Sequence, residues 1–136
     1  MGVRGRKPAA PITPGKVSPP TAPAHLSDAA KVEFARITAF LTKKRVISAE
    51  DVDALEVYAT SLVRYRQAQD AIAKEGAVIE GVNGGSVKNP WTSIESAAAD
   101  RLRPLFSEFG LTPTARGRLK TPDAPDADTK FFEDPK

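Results

Sequence analysis

From Ser48 to Glu75 the chain contains neither proline nor glycine, and this stretch constrains the fold more than any other. Ser48-Ala-Glu-Asp51 reads as a variant capping box, with Asp51 in place of the usual Glu or Gln. Gly76 supplies the favoured residue just past a helix end. A helix reaching about Lys74 is therefore predicted, roughly 40 Å long at ~1.5 Å per residue. Its best apolar seam is Leu55, Tyr58, Leu62, Tyr65, Gln69 and Ile72, in alternating steps of three and four. That is coiled-coil spacing over a little more than two heptads.

A second helix precedes it. Ser27 can cap its start and Asp28 suits the positive end of the helix dipole. Ala30, Phe34, Ile37 and Leu41 recur at helical spacing, Val32, Ala35 and Ala39 form a smaller apolar strip, and Phe40 lies between the two. A helix apolar over more than one face suits burial by more than one neighbour. It ends near Lys43-Lys44-Arg45, and the short Arg45–Ile47 connection makes the two helices an antiparallel αα-hairpin.

Beyond Gly76, Val78–Val82 and Ser86–Lys88 flank Asn83-Gly84, a strong hairpin-turn signal; the extra Gly85 implies a bulge or a slacker loop. Asn89-Pro90 opens a third helix, with Asn as cap and Pro at the first position. Its apolar stripe is Trp91, Ile94, Ala98, Leu102, Leu105 and Phe109; Pro104 is expected to kink or split it, and Gly110 to close it. Thr112-Pro113 begins one last helical turn carrying Arg116, Arg118 and Leu119.

The ends differ in kind from this middle. Six of the twelve prolines fall in residues 1–24, which hold Arg4, Arg6, Lys7 and Lys16 and no acid. Such a segment buries too little to offset its ordering entropy. Residues 121–136 carry Asp123, Asp126, Asp128, Glu133 and Asp134 against Lys130 and Lys136. Three regions follow: a flexible basic Pro-rich arm (1–25), a helical core and oligomerisation domain (26–119), and an acidic flexible tail (120–136). The fold class expected is mainly α: a long antiparallel helical hairpin plus a small β-hairpin and C-terminal helices. A core of about 90 residues is marginal alone and gains from association. The net charge of +3 argues only weakly for a polyanionic partner; its distribution argues more.

With no cysteine, disulfides and thiolate chemistry are excluded. No signal peptide and no apolar run of ~20 residues is present, so a soluble, intracellular protein without membrane contact is expected. The one histidine, His25, has no carboxylate cluster near it in sequence and reads as an incidental linker residue. Gly81–Gly85 lacks the Lys-Ser/Thr ending of a phosphate loop, and Glu50, Asp51 and Asp53 are acids in a first helical turn. No hydrolytic or redox constellation remains. The expectation is a protein that is not an enzyme, with no metal, no cofactor and no small-molecule substrate.

Binding is a better prospect. Arg4-Gly5-Arg6-Lys7-Pro8 resembles an AT-hook core, except that Lys7 separates Arg6 from Pro8. A glycine between arginines lets a backbone approach a narrow minor groove of enhanced negative potential. Lys43, Lys44 and Arg45 form a second basic cluster, which also suits a helix C-terminus. Phe40, Tyr58 and Tyr65 are candidates for contacts between copies, though Tyr58 and Tyr65 equally suit a core. Phe131-Phe132 among acids has the form of a docking motif for another protein, or is a tail without function. These residues alone leave open a DNA-binding assembly, a small transcriptional or nucleoid regulator using the AT-hook-like arm, and a virion adaptor joining protein to protein.

The order of these elements resembles a known family. Gly5-Arg-Lys-Pro8 leads to a proline-rich arm with Pro23-Ala-His-Leu26; Phe34 follows, then Ser48-x-x-Asp51 opening a helix with Tyr58. A short hairpin leads to Lys88-Asn89-Pro90, and the end is Gly110-Leu-Thr-Pro113 with Arg116. This is similar to the small subunits of tailed-phage DNA-packaging terminases, over roughly residues 4–119. The resemblance implies a cyclic homo-oligomer that binds double-stranded viral DNA and presents it to the large terminase subunit, which carries the ATPase and nuclease. It implies no catalytic site and a place of work in the host cytoplasm. Pro104 and the acidic tail depart from the family's usual pattern.

Overall fold

A computed structural model describes residues 18–118. The order is α1 (Asp28–Lys43), a 3-10 turn (Ala49–Asp51), α2 (Val52–Glu75), β1 (Val78–Glu80), β2 (Ser86–Lys88), α3 (Pro90–Glu108) and α4 (Pro113–Arg118). The sequence thus yields a mainly helical chain with one small antiparallel sheet.

The caps are formed as the residue pattern requires. Ser27 Oγ accepts the Ala30 N–H at 3.2 Å. Ser48 makes the reciprocal box: its hydroxyl accepts from the Glu50 N–H at 3.3 Å, and its own N–H donates to Asp51 Oδ2 at 2.8 Å. The end of α1 closes through Arg45, which takes φ 56°. The Arg45 N–H donates to Thr42 O at 3.0 Å and the Val46 N–H to Leu41 O at 3.2 Å. This is a Schellman closure built on a residue with a side chain, a conformation that costs about 1–2 kcal/mol outside glycine. The same closure ends α3, there with Gly110 at φ 68°, the Gly110 N–H on Ser107 O (3.3 Å) and the Leu111 N–H on Phe106 O (2.8 Å).

Helix α2 is the axis of the molecule, with α1 and α3 both packed against it. Glu33, early in α1, pairs with Arg66, late in α2, so these two run antiparallel. Tyr58, early in α2, meets Phe106 and Phe109 at the end of α3 edge-on, at 6.2 and 5.7 Å between ring centres. That pair is antiparallel too. The predicted seam therefore serves two neighbours: Leu55, Tyr58 and Leu62 are buried, Tyr65 and Ile72 half-buried, and Gln69 exposed. Phe34, Ile37, Leu41, Ile47, Leu102 and Phe109 complete the core, each large apolar side chain contributing about 1.5–3 kcal/mol by burial. Ahead of Leu26, Ala22 is already packed against this core.

One expectation is corrected. Pro104 does not split α3, which runs unbroken from Pro90 to Glu108. Pro104 and Asp100, whose carbonyl loses its helical donor, are both exposed, so water can serve that carbonyl. Buried Leu102 and Phe109 on either side hold the helix to the core. In the hairpin, the register is Val78 with Lys88, Ile79 with Val87 and Glu80 with Ser86. The turn is the slacker alternative: the Gly81 N–H donates to Gly85 O at 2.7 Å, and Val82 leaves the strand fully exposed.

Candidate nucleic-acid interface

The basic residues of the α1–α2 link lie toward the same end of α2 as others that sequence order keeps far away. Lys43 lies in the last turn of α1, Lys44 is its C-cap, and Arg45 is its left-handed residue. All three are exposed. Helix α2 begins directly beyond this link, and its Tyr58 touches Phe109 at the end of α3. Helix α4 packs on α3 through buried Ala115 and carries exposed Arg116 and Arg118. Both basic groups therefore sit at one end of the helical body. Phe40, half-buried, lies beside them with the Lys44 ammonium 6.0 Å from its ring centre. Sequence reading singled out Lys43, Lys44 and Arg45 but missed their grouping with Arg116 and Arg118, which only the antiparallel return of α3 produces.

A second cationic group flanks Tyr58. Glu33 is 7% exposed, although it is charged. Arg36 approaches its Oε2 at 2.7 Å outside hydrogen-bonding direction, a coulombic contact, and Arg66 donates to Oε1. Two half-exposed guanidinium groups thus share one buried carboxylate, leaving the cluster with a net positive charge. Burial pushes the Tyr58 hydroxyl above its ordinary 10.0, with the Arg36 guanidinium pulling the other way. The folded state therefore holds this proton more tightly than the unfolded chain does. That contribution is complete below pH ~10 and is lost as pH rises through the folded value. Urea unfolding at pH 8 and pH 11 is expected to show a smaller alkaline loss of stability in Tyr58→Phe than in the parent chain; equal losses would reject this account.

The aromatic candidates divide. Tyr58 is 5% exposed and enclosed by its own chain, whereas Phe40 and Tyr65 are half-buried. Tyr65 uses its hydroxyl to accept from Gln69 Nε2 at 3.0 Å. The outer strip of α1 is exposed as a unit, with Val32 at 66% and Ala35 and Ala39 beside it. Arg4, Arg6, Lys7, Phe131 and Phe132 lie outside the described residues.

Two structural residues had only part of their role legible in sequence. His25 is not incidental: its Nε2 lies 2.5 Å from Glu56 Oε1, tying the segment ahead of α1 to α2. Asn89 is completely buried. Its Oδ1 caps α3 by accepting the Trp91 N–H at 3.1 Å, while Nδ2 donates to Gly76 O at 2.8 Å and to Glu75 Oε2 at 3.2 Å. Its own N–H donates to Ala77 O at 2.9 Å. One side chain thus joins the end of α2 to the start of α3. Among the described residues, no three His, Cys, Asp or Glu side chains are grouped to hold a metal ion, and no helix is long and apolar enough to cross a membrane.

No curated protein and no solved structure matches the chain. The family model described as phage terminase, small subunit, matches residues 30–126, from the first turn of α1 to beyond α4. With most of its length matched in this way, the chain belongs to the phage terminase small subunit family.

Proposed function

We propose that this chain is the DNA-recognition component of a phage packaging motor, without catalysis of its own, binding double-stranded viral DNA and presenting it to the large terminase subunit in the host cytoplasm. The observation that carries the reading is the gathering of Lys43, Lys44 and Arg45 with Arg116 and Arg118 at one end of a chain of this family. Point charges on exposed side chains engage phosphates, not base edges, so binding is backbone-dominated and weak per copy. Arg4, Arg6 and Lys7 add contacts from the arm. A cyclic homo-oligomer multiplies such weak sites by valency. The exposed Val32, Ala35 and Ala39 strip, with Phe40 and Tyr65, offers apolar surface for contacts between copies. Phe131 and Phe132 with their neighbouring acids are the candidate contact to the large subunit.

Light scattering with and without duplex, over a salt series, tests this. A large discrete assembly is expected, whose duplex affinity falls steeply with salt. Replacing Lys43, Lys44 and Arg45 by alanine is expected to leave the assembly intact and to flatten the slope of log affinity against log salt by about 2–3 units per engaged copy. A single-copy protein indifferent to duplex at low salt would overturn the reading.

A further inference from the structure

We infer that the acidic tail of this chain seats itself on the basic end of the same molecule, with Asp123, Asp126 and Asp128 covering the cations and Phe131-Phe132 lying against the Phe40 side. The seat is visible in the described residues. Lys43, Lys44, Arg45, Arg116 and Arg118 are exposed at one end of the bundle, and Phe40 beside them is only half-covered. The occupant is set by where the chain goes next. Helix α4 ends at Arg118, at the same end of the bundle, and the following residues supply five acids against two lysines from 121 onward, with one apolar pair. The step from Arg118 to Phe131 spans at most about 45 Å when extended, more than the roughly 36 Å length of α2, so the tether is long enough for the pair to reach the Phe40 side of the same end.

The order of residues also fits. Asp123, Asp126 and Asp128 leave α4 first and meet the nearest cations, while Phe131 and Phe132 come later, flanked by Glu133 and Asp134. A tether this short holds the tail at an effective concentration of order millimolar, enough to half-fill even a seat of millimolar intrinsic affinity. Because the same cations are those assigned to DNA phosphates, the tail acts as a built-in competitor for the duplex. That second half rests on the DNA-binding reading; the seating does not.

The cysteine-free sequence permits a direct test in the full chain. Ala39→Cys together with Thr129→Cys, treated with a short bismaleimide at low salt, is expected to give an intrachain cross-link that is suppressed at high salt. The control pairs Thr129→Cys with Ser86→Cys in the hairpin, at the opposite end. Equal yields from the two pairs would overturn the seating, and so would cross-links formed only between chains. Replacing Asp123, Asp126 and Asp128 by asparagine is expected to abolish the Ala39→Cys cross-link and to raise duplex affinity about two- to tenfold, as a competitor of that occupancy is removed. A cross-link that survives those replacements would also overturn the seating. If seating is found and duplex affinity does not change, the competition fails; if no duplex binding is seen in any variant, it is the DNA reading that fails, with the seating intact.

Discussion

Replacing Arg36 and Arg66 together by alanine is expected to destabilise the fold by about 3 kcal/mol, clearly more than the two single replacements added together. The reason lies in what is left behind. Glu33 is held in the interior between α1 and α2, and its charge is tolerated there because two guanidinium groups reach it from the surface. Loss of either arginine leaves one partner, and loss of both leaves a buried, uncompensated carboxylate. Both arginines are about half-exposed, which places the expected loss at the low end of the ~3–5 kcal/mol seen when buried pairs are broken. Adding Glu33→Gln to the double variant removes the stranded charge and is expected to recover most of the stability. Urea unfolding of the four variants and the parent decides the matter; single losses that simply sum, with no rescue by glutamine, would show that Glu33 is hydrated well enough to need no partner.

The other large effect is expected at Asn89. Asn89→Ala removes the cap of α3, worth about 1 kcal/mol, and strands the Gly76 carbonyl in a closed site, worth about 1–3 kcal/mol more, so a loss near 3 kcal/mol is expected. Asn89→Asp is the sharper probe. It preserves the cap acceptor but turns the amide's donor end into a second acceptor, facing the Gly76 carbonyl and the Glu75 carboxylate. Were the cap all that mattered, aspartate would be as good as asparagine. The junction described here requires Asn89→Asp to be at least as damaging as Asn89→Ala, and thermal unfolding near neutral pH compares them directly.

What the sequence made legible was what is local. The Ser48–Asp51 box, the stops at Arg45, Gly76 and Gly110, and the cap at Asn89 each depend on residues within a turn or two, and each is formed. Partners far apart in sequence were not legible. Asn89 was read as a cap, but its amide bonds to residues thirteen and fourteen positions away, which no local pattern encodes. His25 has no partner within local reach, because Glu56 lies thirty-one residues on. The local rule that makes Pro104 a kink or a split ignores which side of the helix faces water. The candidate site divides the same way: Lys43-Lys44-Arg45 stands out as a run, whereas its grouping with Arg116 and Arg118 depends on α3 returning along α2. Glu33 gave no signal, being one acid on an otherwise apolar helix.

The closed base of the hairpin has a consequence for change over evolutionary time. Because the chain is fastened where it leaves α2 and where it enters α3, the loop from Gly81 to Gly85 stands outside the packed body, with Val82 wholly in solvent. Residues can be added, trimmed or exchanged there without the three long helices having to re-register. Such a hairpin is a place where one phage lineage can come to differ from another in shape while keeping a common chassis.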